Sequence, residues 1–253
     1  MRALLKITWV ELKLFLREPT TLVFTFAFPV VILFVMGEIF GKIYGQGGDE
    51  PRRLMFRGFE PLDYYVPAYM ALVTASVGVI MLPARLTAYR AGGVLRRFRA
   101  SLVPIWAVLG SQMLAASVLG GIGSVLVWAF GKLVYDVRVP AAPGAVVVGF
   151  LASAFAFAAI GALLGAVMPS PRAAQGAGLM LFFVMLFVSG TGPPIEVMSD
   201  TMVRIGEFLP LTYAVEALQD AWNGLGWNWG DLAVLAGITV VAGWVALRVY
   251  RWG

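Results

Sequence analysis

The sequence predicts an all-α polytopic membrane protein. It has six transmembrane helices, an N-terminal interfacial helix, a short cytoplasmic helix, and an outer re-entrant or amphipathic helix before the last span. Three observations carry this reading. First, 60% of the 253 residues are hydrophobic and 13% are charged, where a soluble domain has roughly 45–50% and about 25%. Second, six intervals contain no Asp, Glu, Lys or Arg: 19–37, 64–84, 100–131, 139–171, 173–195 and 232–247. A bilayer-spanning helix needs about 20 mostly apolar residues. Third, the charges between these intervals are unevenly shared. With the N-terminus in the cytoplasm, segments 1–18, 85–99, 172 and 248–253 carry twelve of the 19 Lys and Arg but two of the 14 acids. Positive charge favours the cytoplasmic side. The expectation is one multi-pass domain, 1–253, in the inner (cytoplasmic) membrane with both termini cytoplasmic.

The elements follow in order. At 100° per residue, Arg2, Lys6, Lys13 and Arg17 fall within a wedge of about 60°, flanked by Leu5, Trp9, Leu12 and Leu16. Residues 1–18 therefore read as an interfacial helix with its basic edge toward lipid phosphates; a solvated leader is the alternative. Pro19 ends it. Spans are expected over about 19–39, 64–84, 105–130, 145–168, 173–190 and 230–249. The outer loop 42–63 holds no readable motif. The fourth span carries Ala154, Ala158, Ala162 and Ala166, with Gly161 and Gly165 one position behind. Such a face permits close helix approach, within one subunit or between two. The outer helical segment 191–229 contains, after Pro210, Leu211, Val215, Leu218 and Trp222 at helical spacing. Glu216, Gln219, Asp220 and Asn223 occupy another face, and Gly224 and Gly226 stop the pattern. Pro210, Tyr213, Glu216 and Asp220 are the residues expected at an exit region; a plain surface connector is the alternative.

Much chemistry is excluded. There is no Cys and no His, which removes thiolate nucleophiles, Cys/His metal sites and imidazole acid–base steps. Neither Gly-Lys pair, at 41–42 or 131–132, has the flanking residues of a P-loop. The uncharged intervals offer no obvious proton relay. The chain is not expected to be an enzyme or to bind a cofactor, and energy for uphill movement would come from a partner. A net charge of +5 suits anionic lipid; no nucleic-acid partner is expected.

The loop between spans two and three, 85–104, holds the stretch YRAGGVLRRFRASLVP. Gly92 and Gly93 break the second helix and Pro104 precedes the third. Between them Leu95, Phe98 and Leu102 recur at i, i+3 and i+7, beside Arg96, Arg97 and Arg99. Positive-inside anchoring would explain the arginines but not an apolar stripe on a separate helix. The combination suggests docking into a groove on another protein.

Here the chain resembles the permease of a type-2 ATP-binding-cassette exporter. In that family the loop after span two resembles Arg-Glu-x-Gly-Thr-Leu-Arg-Arg-Leu-x-x-Thr-Pro. Arg90, Gly93, Leu95, Arg96, Arg97, Phe98 and loosely Ser101 match it; Ala91, Val94 and Leu102 depart. The final outer segment also matches, through Ser189-Gly190, Pro193/Pro194 and Pro210-Leu211-Thr212-Tyr213, followed by Glu216, Leu218 and Gly224; Leu209 and Gln219 depart, standing where the family has Asn and Arg. The opening matches too, through Arg17-Glu18-Pro19 and Phe28-Pro29.

The resemblance implies that residues 85–104 form a coupling loop whose helix contacts a nucleotide-binding ATPase subunit, through Gly93, Leu95, Arg96, Arg97, Phe98, Arg99 and Leu102. It implies a second permease copy or paralogue, with ATP and Mg held by the partner subunit. The transported molecule would be amphipathic: a drug, lipid or lipid-linked glycan. An ion-coupled secondary carrier, or a non-transporting membrane anchor for a soluble partner, are the other readings open at this point.

Overall fold

A computed structural model describes residues 2–17, 19–44, 56–100 and 103–249, and among these every regular element is helical. Apolar runs of this length can satisfy their backbone amides in lipid only by pairing them within a helix. The helices are α1 (Arg2–Leu16), α2 (Pro19–Tyr44), α3 (Pro61–Ala91), α4 (Val94–Ala100), α5 (Ile105–Tyr135), α6 (Pro143–Val167), α7 (Pro171–Val188), α8 (Asp200–Gly206), α9 (Pro210–Trp222) and α10 (Trp229–Val249). Proline opens α2, α3, α6, α7 and α9, the position where its missing N–H costs nothing.

The protein is a polytopic membrane protein. Among the described residues α3, α5, α6, α7 and α10 are long and apolar enough to cross a membrane, and α2 holds a shorter apolar stretch, Phe26–Ile39. Helix α3 is the axis of the bundle: 83% of its apolar window is buried, against α2, α5, α6, α7 and α9. It runs past the charges that bound the interval 64–84, starting before Asp63 and continuing through Arg85 and Arg90. Each of those charges has a partner, described below. Helix α10 packs mainly on α6, and α1 lies along α5.

At Val77–Met81 α3 widens into a π-turn. The swollen backbone is accommodated by glycines on two neighbours. A Cβ at Gly161 of α6 would overlap the Gly78 carbonyl oxygen; one at Gly178 of α7 would overlap that of Val79 and stand 3.0 Å from the Ile80 Cα. At Gly165 it would stand 2.8 Å from the Leu86 Cβ. The glycines of the fourth apolar interval thus serve packing inside this chain. Ala158, Ala162 and Ala166 line a neighbouring apolar cluster that includes Ala246 of α10.

Helix α9 is embedded on both faces. Every residue but Tyr213 and Glu216 is buried, Gln219 and Asp220 included. It is wedged against α3, α6 and α10, with Leu218 over Gly149. Its last turn accepts backbone hydrogen bonds from Ala141 (2.9 Å, to the Trp222 oxygen) and Ala142 (3.2 Å, to the Ala221 oxygen). Helix α8, too short and mixed to show periodicity, precedes it.

Candidate functional site

Two polar sites lie at opposite ends of α3. At 1.5 Å per residue its 31 residues set them roughly 45 Å apart.

At the α4 end, Gly92 closes α3 and Gly93 turns the chain at φ 68°, a conformation that favours glycine. Helix α4 follows. Arg97 and Ala100 are exposed, whereas Phe98 packs partly against the chain's own cluster of Leu82, Leu86 and Phe15. The side chains of Leu95, Arg96 and Arg99, and the whole of Leu102, lie outside the described residues. Arg90 turns back to α6 and donates to the carbonyl oxygens of Ala166 (2.9 Å) and Met168. A cation capping the last carbonyls of a helix is favourably placed.

Helix α1 is fastened to the same end. Glu11, 2% exposed, accepts from Tyr89 Oη (2.6 Å) and Arg85 Nη1 (3.1 Å). The Arg85 guanidinium also stands 5.9 Å from the Phe15 ring. Thr8 donates to the Ser111 oxygen of α5 (3.3 Å). On the opposite side Leu5, Trp9 and Leu16 are exposed alongside Lys6, Lys13 and Arg17, with Lys13 5.1 Å from the Trp9 ring. The Arg2 side chain lies outside the described residues.

At the α9 end a fully buried aromatic group, Phe56, Tyr64, Tyr65 and Tyr69, supports a turn at Arg57-Gly58. Arg57 has φ 55°, a left-handed conformation that costs a non-glycine residue free energy. Its guanidinium reaches Asp220 Oδ1 (3.0 Å) and Gln219 Oε1 (3.2 Å) on α9. Gln219 donates in turn to the Tyr64 oxygen (3.0 Å), locking α9 to the start of α3. Asn228 joins two acids: its Nδ2 donates to Asp220 Oδ2 (2.9 Å), and its Oδ1 accepts from the Asp231 backbone N (3.2 Å), capping α10. Asp63 pairs at 3.6 Å with Arg138. Tyr213 donates to the Glu207 oxygen (2.6 Å), and Pro210 opens α9. Glu216 is half-buried. Burial raises its carboxyl above the usual glutamate range; Arg57 opposes this, while Asp220, Glu196 and Glu207 add to it. Burial likewise raises Glu196, with a backbone hydrogen bond and Arg57 opposing.

Glu216 and Asp220, singled out from the sequence, thus share a site; their cation does not come from α9. Sequence reading missed Arg57, Asn228 and Asp231 at this end, and Glu11, Arg85 and Tyr89 at the other. Asp63 and Asp231 stood at the edges of uncharged intervals, which is the signal that could have marked them.

Residues 2–222 match the family model described as ABC-2 type transporter. A protein named "Putative transport permease YvfS", from Bacillus subtilis (strain 168), is 23% identical over 173 residues, covering 68% of this chain and 70% of its own length. The daunorubicin resistance ABC transporter permease protein DrrB1 of Streptomyces coeruleorubidus is 25% identical over 255 residues, covering 96% of this chain and 84% of its own.

Proposed function

The chain belongs to the ABC-2 type transporter family, and from that premise we propose that it is the membrane-spanning subunit of an ATP-driven exporter for an amphipathic substrate. In this reading ATP and Mg are held by a separate nucleotide-binding subunit, and a second permease copy or paralogue completes the path. The α4 end faces the cytoplasm of the inner membrane and the α9 end faces outward. Helix α1 rests on the inner leaflet with Leu5, Trp9 and Leu16 in lipid. The DrrB1 relative is named for resistance to a drug, and a drug is one of the substrate chemistries proposed, beside lipid and lipid-linked glycan.

One observation carries the coupling. A single helix, α3, connects α4 at one end with the acid–arginine site at the other. A push on α4 by a closing ATPase is thereby delivered to the residues that hold the α9 end shut. Arg96, Arg97 and Arg99 would meet acids on the partner, with Leu95, Phe98 and Leu102 forming the apolar contact. Individually, exposed ion pairs contribute about 0–1 kcal/mol, so reversing all three charges is the informative change.

The test is co-expression with the candidate ATPase. Replacing Arg96, Arg97 and Arg99 together by Glu should leave the permease inserted and folded but abolish ATPase co-purification and substrate-stimulated hydrolysis. Full retention of the ATPase would refute the coupling role. Transport by the permease alone would favour a secondary carrier, and a bound ATPase that no transported compound stimulates would favour an anchor.

A further inference from the structure

We propose that the α9 end is a recognition site for a cationic nitrogen, an ammonium or guanidinium group of the exported molecule, and that Arg57 is its built-in occupant. The proposal deepens the exporter reading by naming a substrate class, and it rests on that reading.

The charge balance is uneven. Arg57 is ion-paired with Asp220 and its charge also acts on Glu196, Glu216 and Asp231. Among the described residues four carboxylates thus lie in the field of one guanidinium, while Asp63 has Arg138. Asp231 is 7% exposed, and its Oδ2 is buried without a hydrogen-bond partner. A buried carboxylate oxygen left without a donor is costly to the fold. Asn228 holds this residue beside Asp220, and the charges of Glu216 and Asp220 both reach it. The site therefore keeps hydrogen-bonding capacity for a cation that the described residues do not supply.

The occupant is releasable. Arg57 keeps its place in a left-handed conformation at φ 55°, in a turn ahead of α3 rather than on a helix. Letting it swing away relieves backbone strain, which offsets part of the lost ion pair. The stacked Trp227 and Trp229, 5.3 Å apart, bracket Asn228 in the chain and are exposed. They offer faces for the apolar part of an amphipath or for its charge.

The geometry favours an organic cation over a metal. Among the described residues no three Asp or Glu converge closely enough to hold a metal ion. A guanidinium can instead reach two separated carboxylates with its fork of N–H groups.

The test uses the purified full chain in phosphatidylcholine nanodiscs, with hexylguanidinium as probe and hexylurea as its uncharged counterpart. Equilibrium dialysis reads affinity, and gel filtration with circular dichroism reads folding. The wild type should prefer the guanidinium. Asp231→Asn should weaken guanidinium binding roughly tenfold, and Arg57→Gln should tighten it by a similar factor because the internal competitor is gone. Neither change should alter hexylurea binding. A purely structural Arg57 predicts the opposite sign: a looser site and weaker binding. Equal affinity for the two probes, or Arg57→Gln that weakens or leaves unchanged the binding of guanidinium, overturns the proposal. Should Asp231→Asn fail to fold, the half-buried Glu216→Gln replaces it with the same expected direction, and unchanged binding there overturns the proposal equally. These readings need no ATPase. Guanidinium binding without ATP-driven export would sink the exporter reading alone, and export without guanidinium binding would sink this site alone.

Discussion

Gly178→Ala tests one of the closest helix approaches among the described residues. The new Cβ would overlap the Val79 carbonyl oxygen and lie 3.0 Å from the Ile80 Cα, where carbon atoms prefer about 3.5–4.0 Å. Both obstructing atoms are backbone, in the π-turn of α3, so no side chain can rotate away. Helix α7 must retreat from α3, loosening Phe182, Met185 and Leu186, which pack in the central cluster. Overpacking typically costs 1–3 kcal/mol, and a backbone obstruction belongs at the top of that range, about 3 kcal/mol. Alanine returns about 0.5–1 kcal/mol of helix preference, leaving a net loss of about 2 kcal/mol. Gly176, two residues away on the same helix, has nothing within 4 Å of its would-be Cβ. Gly176→Ala should therefore keep the gain without the clash and stabilise by about 0.5–1 kcal/mol. Thermal unfolding of the purified full chain, followed by tryptophan fluorescence, should move the two variants in opposite directions. If Gly178→Ala melts with Gly176→Ala or above the wild type, α3 and α7 are not this close and the argument for the glycine seat fails.

Glu11→Gln should destabilise by about 1–3 kcal/mol, because it removes the carboxylate that accepts from Arg85 and Tyr89. Lys132→Gln, which breaks the exposed Lys132–Asp136 pair, should cost no more than about 0.5 kcal/mol in the same melt. The pH dependence has a definite sign. The folded protein keeps the Glu216 proton where the unfolded chain has lost it, so stability falls as pH rises from the ordinary 4.5 through the raised value. Arg57, Asp220, Glu196 and Glu207 all act on this carboxyl. Glu216→Gln should gain on the wild type across that window and not below it; parallel melting curves at every pH would show that burial at Glu216 is without consequence.

The helices over the apolar runs were legible because a run of about 20 uncharged residues has few other solutions in lipid. The uncharged stretch of α3 ran from 64 to 84, and Gly92 and Gly93 marked the end of its helix. Asp63, Arg85 and Arg90 nonetheless sit inside the helix, partnered by Arg138, by Glu11 and by the carbonyls at the end of α6. Those partners are 74 to 78 residues away in the chain, and no local pattern announces them. Glu216 and Asp220 were visible as neighbours on one face. Their cation was not, since Arg57 precedes them by 159 and 163 positions in a loop without a motif. The periodicity of α9 gave its extent and its two faces but not their burial. Burial of both faces follows from Gln219 and Asp220 finding donors and acceptors on α3 and on the segment leading to α10, which amphipathicity alone cannot reveal. Helix α8 was missed because seven residues are too few for a period to show.

The Glu11 clasp also dictates an order of events at the ribosome. Glu11 is made before its partners, and Arg85 and Tyr89 emerge 74 and 78 residues later. Until then the carboxylate has no mate and α1 must wait in water or at the lipid surface. Helix α1 is thus seated only after α3 has been threaded. A ribosome stalled before residue 85 holds an α1 that a protease can still cut.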